Sequence, residues 1–321
     1  MKLNHFSEII GQDRAISLLE NSLAKNQVNH AYLFLGPEGI GKMLTAVTFA
    51  HRLIAAADKD APIFFRENVH PDLMLIEIRE SRTVILKEQV TDELEPWLAL
   101  KPYRSKHRIA IIRDSHLISD EAANALLKTL EEPPSYAVII LVADRDSLLE
   151  TIISRCQIVR FFPVVASILE KHLISLDVPV DLAANISNLA QGNVALAQRL
   201  VTEEDLLDKW QEARAMLKNL ASSDISQVFA LAEFIEIAPD LFINMLEIIL
   251  RDILIYKTTS NKDLVIIAEN IELALGLEIR DINSLKETIN YMGQLKGYYR
   301  RYINSKLICI NIARSIWEAL H

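Results

Sequence analysis

The chain has 321 residues, half of them apolar, and a formal net charge of −9. At about 100–200 residues per domain this predicts two to three domains with substantial cores. The acidic balance argues against a free-standing nucleic-acid binder, whose affinity comes mainly from Lys and Arg on phosphates, but not against a subunit that lends a few contacts to a larger complex.

In chain order, a polar, helix-prone opening carries Ile16, Leu18, Leu19 and Leu23 as its apolar face. Ala31-Tyr-Leu-Phe-Leu35 reads as a short buried strand. It runs into Gly36-Pro-Glu-Gly-Ile-Gly-Lys42, and a helix with Leu44, Val47 and Ala50 on one face follows. Further strands are expected at 72–77, 108–113 and 137–142, near-continuous apolar runs separated by helical stretches. Such strands predict a parallel sheet covered on both faces. Ala122, Leu126, Leu127 and Leu130 mark a helix that Pro133-Pro134 stops, and 146–153 reads as another helix.

Beyond Phe161-Phe-Pro163 only helical periodicity is visible. The most apolar run, Leu241 to Tyr256, is interrupted by Glu247, Arg251 and Asp252, so it predicts a buried helix and no membrane span. The N-terminus has no signal-peptide pattern, and Cys156 and Cys309 make neither a disulfide framework nor a zinc set, which fits a reducing cytoplasm.

Strand, glycine loop, helix is the context of a phosphate-binding loop, whose pattern is G-x-x-x-x-G-K-[ST]. Gly36, Gly39, Gly41 and Lys42 can cradle phosphate, but the hydroxyl that would hold Mg²⁺ is replaced by Met43. A thioether is a poor ligand for a hard cation. The strand ending at Asp114 would sit beside the loop. Ser115 and His116 follow it where a hydrolase would carry an acidic residue. Serine is a poor base, and His116, on the opposite side of an extended backbone from Ser115, reads as a loop histidine. His51 and His70 have no thiolate partners, so no zinc is expected.

Ser154-Arg155-Cys156 ends the 146–153 helix. Arg155 is either an ordinary helix-end residue or a guanidinium aimed at a neighbour's nucleotide. Two basic runs, Lys101 to Arg108 and Lys296 to Lys306, read more readily as solvated faces than as nucleic-acid contacts.

The loop 36–42, His70-Pro-Asp72, Ala125-Leu-Leu-Lys-Thr-Leu-Glu-Glu-Pro-Pro134 and Ser154-Arg-Cys156 come in the order seen in clamp-loader subunits of the AAA+ superfamily, which the chain resembles over about residues 5–205. The opening Ile10-Gly-Gln12 is similar too. The resemblance implies an α/β P-loop (AAA+) domain with a parallel sheet (1–163), a small helical lid (164–205) and an all-α collar for assembly (206–321). It implies partners: gamma/tau motor subunits, a delta subunit, a sliding clamp and, through the assembled complex, primed DNA. It also implies that Arg155, with Ser154 and Cys156 as its motif, acts in trans on a neighbour's ATP.

The departures matter as much. Motor subunits keep Ser or Thr where this chain has Met43, and an acidic pair on the second strand. They carry an arginine where Ala195 falls in Gly192-Asn-Val-Ala195. A residue reading the γ-phosphate is replaced by Ala143 or Asp144, and the family's four-cysteine zinc module is missing. The resemblance therefore implies a non-hydrolysing subunit that requires no cofactor and binds ATP or ADP weakly if at all. The alternatives are a motor ATPase that tolerates Met43 and a non-catalytic nucleic-acid adaptor using the basic runs.

Overall fold

The computed structural model describes residues 5–67, 69–80, 82–203, 205–221, 224–279, 281–299 and 305–321. The chain divides into two compact units, Met1–Leu176 with Gln191–Leu196, and Asp177–Ala190 with Ala197–His321.

The first unit is built on a five-stranded parallel sheet. Its strands are β1 (Ala31–Leu35), β2 (Leu73–Ile76), β3 (Arg108–Ile112), β4 (Ala137–Ala143) and β5 (Gln157–Arg160), in the order β2-β3-β4-β1-β5. Alternate side chains of the central strands enter two separate cores. Tyr32, Phe34, Ile109, Ile111, Val138 and Ile140 face α1 (Asp13–Ala24), α2 (Lys42–Ala55) and α3 (Ala61–Glu67). Leu33, Leu35, Ala110, Ile112, Ile139 and Leu141 face α4 (Glu95–Ala99) and α5 (Asp120–Glu131). Burial on both faces is why these strands read as continuous apolar runs. The Ser119 hydroxyl caps α5 by accepting the Ala122 N–H at 3.2 Å.

Several expectations are corrected. β5 was not foreseen. It is an edge strand with only Val159 fully buried, so it lacks the apolar run that marks the others. The buried face of α2 is Thr45, Ala46, Phe49, Ala50 and Leu53, while Leu44 and Val47 are only partly buried. The helix expected at 146–153 shrinks to α6 (Glu150–Ile153), because Leu149 is extended and Leu148 is drawn into the core ahead of it.

α7 (Ala166–Ser175) ends the continuous part of the first unit. The second unit is helical throughout its described residues: α8 (Val180–Ala190), most of α9 (Val194–Thr202), α10 (Asp205–Leu220), α11 (Ser226–Ile237), α12 (Pro239–Thr259), α13 (Asn270–Gly276), α14 (Ile282–Tyr299) and α15 (Ser305–Leu320). α12 is the buried helix expected at 241–256, packed by α10, α11, α13 and α14. Its Asp252 is buried but satisfied, accepting the N–H groups of Ile266 and Ile267 and the Asn270 amide at 2.9–3.0 Å. No helix among the described residues is long and apolar enough to cross a membrane.

Candidate functional site

The phosphate loop connects β1 to α2. Gly41 stands at the N-cap of α2 with φ 98°, and Gly39 has φ 76°, both in the left-handed region that favours glycine. Gly39 has a second constraint. A Cβ there would lie 2.0 Å from the Asn193 Oδ1. Asn193 itself caps the next helix by accepting the Leu196 N–H at 2.9 Å, and the Ala195 N–H donates to the Gly39 carbonyl at 2.9 Å. The segment 191–196 thus returns to the first unit and packs directly on the loop, bringing Ala195 to it by its backbone.

Lys42 does not reach into open space. Its ammonium lies 2.8 Å from the Asp144 carboxylate and donates to the Pro37 carbonyl, with only 4% of the side chain exposed. Both Ala143 and Asp144, at the end of β4, meet the loop: the Ala143 carbonyl accepts the Gly36 N–H at 3.3 Å, and the Asp144 carboxylate pairs with Lys42. Met43 is packed against the apolar cluster under α2.

At the end of β3, Asp114 takes a left-handed φ of 50° and starts a 3₁₀ turn, Ser115–Leu117, closed by the Leu117 N–H on the Asp114 carbonyl at 2.8 Å. The backbone there is therefore not extended, which corrects the geometry expected for His116. Ser115 and His116 are both buried. The Ser115 hydroxyl donates to the Val142 carbonyl at 3.0 Å, and His116 Nδ1 accepts the Asp144 N–H at 3.3 Å. Burial, and then the nearby Asp144 carboxylate, push the Asp114 acid up from its ordinary value.

Asp114, His116 and Asp144 bring ligand atoms within 4.8 Å of one another. With Nδ1 accepting, the neutral ring carries its proton on Nε2, 3.9 Å from Asp144. A hard divalent cation would take the Asp114 and Asp144 carboxylates rather than the imidazole, in competition with the Lys42 ammonium. The left-handed glycines and Lys42 form the backbone cradle of a phosphate loop, with Lys42 paired to Asp144.

Arg155 lies at the other end of the described chemistry, just after α6. Its guanidinium donates to Glu131 Oε1 at 2.6 Å and to the Thr151 carbonyl at 2.8 Å, with about a third of the side chain exposed. The Ser154 hydroxyl also bonds the Thr151 carbonyl, at 3.1 Å. Burial pushes the Cys156 thiol up to about 12, so it stays protonated and shapes the turn rather than reacting.

Two arginines of the first basic run are engaged within the chain, while Lys101 and Lys106 are exposed. Arg104 is clamped by Asp58 and Asp60, and Arg108 is buried with its guanidinium 4.1 Å from the Trp97 ring centroid. The second, Lys296 to Lys306, falls largely outside the described residues.

A family described as DNA polymerase III, delta subunit, matches residues 11–165. The chain is 32% identical to the delta' subunit of DNA polymerase III from Bacillus subtilis over 217 residues, 65% of this chain and 64% of that protein. It is 38% identical to the tau/gamma subunit of Haemophilus influenzae over 159 residues, 47% of this chain but 23% of that protein. Over residues 11–165 the chain is similar to subunits of DNA polymerase III. The delta' likeness runs further along the chain than the tau/gamma one. The chain spans just under two thirds of that delta' relative's length and about a quarter of the tau/gamma relative's. A gamma subunit-related protein of Thermotoga maritima aligns over 94% of this chain and 99% of its own, at 18% identity and a TM-score of 0.49.

Two contacts were beyond the reach of sequence reasoning. Glu131 lay inside a quoted motif without an assigned role, and Asn193 lay inside Gly192–Ala195 without one. Helical spacing cannot show that Glu131 meets Arg155, because the two sit on different helical turns of the fold.

Proposed function

We propose that this chain is the non-hydrolysing delta' subunit of a bacterial clamp loader, a stator and trans arginine-finger donor within the DNA polymerase III holoenzyme. With gamma/tau and delta subunits it helps load the sliding clamp onto primed DNA in the cytoplasm. Residues 1–163 form its AAA+ domain, 164–205 its lid and 206–321 the collar through which it assembles.

The observation that carries the non-hydrolysing half is the Lys42–Asp144 pair. The loop lysine is neutralised inside its own subunit, and a carboxylate stands where an incoming triphosphate would need positive charge. Met43 packed against the core, Ser115 tied to the Val142 carbonyl and Ala195 at the loop act in the same direction. Groups at a reacting centre are typically worth about 10²–10³ in rate each, so losing three together leaves no useful turnover. Weak ATP or ADP binding in the glycine cradle remains compatible with this.

The trans role rests on Arg155. The purified chain should hydrolyse no ATP, and it should copurify with clamp-loader subunits. In the reconstituted complex, Arg155→Ala should leave assembly intact and lower clamp-stimulated hydrolysis. The loss should fall well short of the roughly 10³–10⁵ of isolated arginine fingers, since other sites keep theirs. Arg155→Lys should rescue only in part, lacking the planar fork. Turnover near about 1 s⁻¹ by a preparation free of other ATPases would sink the non-hydrolysing reading. Wild-type hydrolysis and clamp loading with Arg155→Ala would sink the finger.

A further inference from the structure

Arg155 is not presented freely. The two terminal nitrogens of its fork are both engaged within the subunit, Nη2 by Glu131 and Nη1 by the Thr151 carbonyl. The end-on fork of these two nitrogens is one of the ways a guanidinium grips a phosphate, and Nη2 also belongs to the side-on one. Glu131 comes from the last turn of α5, and Thr151 from α6, so two separate elements hold the side chain down. The pair is also built to let go. Glu131 is half exposed, and an ion pair in that setting is screened and weak. A triphosphate with several negative oxygens outcompetes a single carboxylate for the same fork.

We propose that Glu131 is a latch for Arg155. It keeps the guanidinium folded on its own subunit until a neighbour's nucleotide phosphate displaces it. Glu131 is then a positioning residue, and its effect is to suppress hydrolysis in complexes whose subunits are not yet docked. This rests on the reading in which Arg155 acts in trans.

The test has two readouts. On the isolated full chain, the reaction of Arg155 with phenylglyoxal, followed by mass spectrometry of its peptide, reports how well the fork is covered. Glu131→Gln should speed it about two- to fivefold, the population ratio an exposed ion pair sets. In the reconstituted complex, Glu131→Gln should raise hydrolysis without clamp or DNA by a similar factor, so that the ratio of stimulated to unstimulated rates falls. Glu131→Asp, which keeps the charge, should restore most of that ratio. In the Arg155→Ala background, Glu131→Gln should change nothing further, since the latch acts only through its partner. Glu131 is on the surface, and circular dichroism of each variant checks that folding is intact.

If Glu131→Gln leaves both the modification rate and the stimulation ratio at wild-type values while Arg155→Ala lowers hydrolysis, the latch is wrong and the finger stands. If Arg155→Ala is itself inert in an assembled complex, both fall together.

Discussion

Lys42 and Arg155 are cations of the same α/β unit, and each is paired with a carboxylate at a similar distance, 2.8 Å for Lys42–Asp144 and 2.6 Å for Arg155–Glu131. Their settings are opposite. The Lys42 and Asp144 side chains are 4% and 19% exposed, those of Arg155 and Glu131 34% and 50%. In a low-dielectric interior the same geometry gives a much stronger attraction, and salt does little to it. At the surface it gives a contact that water and ions dissolve. One pair is shielded from water on both sides. The other parks a charge that a partner can claim. Within one fold, burial separates the two pairs, and on the proposed function it would separate a retired phosphate site from a usable arginine.

The largest test of that difference is Asp144→Ala. It strands a buried ammonium, and breaking a buried pair by removing one partner typically loses about 3–5 kcal/mol. Urea unfolding of the variant should show this, and Asp144→Asn should lose less because its amide oxygen still accepts. Removing the carboxylate should also raise the affinity of the loop for inorganic phosphate and ATP. An unfolding midpoint equal to wild type would mean that Lys42 is held by something other than Asp144. A gain in stability loss without any gain in phosphate affinity would mean that Met43 and the packed Asn193 keep the loop closed on their own.

A third pair lies between the extremes. Asp58 is 4% exposed, and Arg104, which grips it through Nε at 2.6 Å and Nη2 at 3.0 Å, is 29% exposed. The Asp58–His70 contact at 3.2 Å joins it, and Asp72 beside His70 accepts the N–H groups of Tyr103, Arg104 and Ser105 at 2.6–2.8 Å. This network ties the stretch after α2 to the segment ahead of β3. The Arg104 hydrogen bonds hold the Asp58 carboxyl well below the usual carboxylate range. Burial alone would raise Asp72, but its three backbone donors outweigh it and hold that acid low as well.

Both acids are depressed in the fold, so the stability they contribute is present above their unfolded values, near pH 4, and is lost as pH falls through their lower folded ones. Arg104→Ala should therefore move the acid-unfolding midpoint to higher pH, with Arg104→Lys in between because an ammonium cannot grip both oxygens. A midpoint that does not move would place the anchor of this segment in Asp72 and not in the Asp58 pair.

The contrast between these pairs is what the sequence could not display. The loop, the three central strands and α5 were legible because burial on both faces leaves continuous apolar runs, and because Gly36, Gly41 and Lys42 carry a backbone geometry in their spacing; β2, an edge strand, was legible from the apolar run Leu73–Ile76 alone. β5 was not, since one edge strand with a single buried valine has no pattern of its own. Asp144 was visible as a residue near the end of a strand, but only the parallel pairing of β1 with β4 sets it beside Lys42. Arg104 and Arg108 looked like a basic patch because a sequence lists charges without their partners.

His51 provides a smaller, opposite case, a buried group with no counter-ion. Its ring stacks on Phe65 at 3.7 Å between centroids, and its Nδ1 has no hydrogen-bond partner. Burial first, and then His70, lower its pKa to about 4. The folded chain therefore keeps it neutral while the unfolded chain takes up a proton near pH 6.5. Its contribution is intact above that value and is lost as pH falls from about 6.5 towards 4. His51→Phe, which keeps the stack, should flatten the stability profile in that window without changing it at pH 8. A slope between pH 6.5 and 4 that survives the substitution would assign the proton uptake to another group.

The smallest expected effect is the one that most sharpens the comparison. Arg155→Ala should change unfolding free energy by less than about 1 kcal/mol, since exposed pairs contribute about 0–1 kcal/mol. What little it contributes should vanish between 0.1 and 1 M salt, where the screening length drops from about 10 to 3 Å. The loss from Asp144→Ala should persist across the same range. The same Arg155→Ala chain is predicted to damage hydrolysis in the complex, so stability and function would part at this residue and coincide at Lys42. If Arg155→Ala instead destabilised the chain as much as Asp144→Ala, the guanidinium would be a structural anchor. A neighbour's phosphate could then not draw it away from Glu131 without unfolding the turn that carries it.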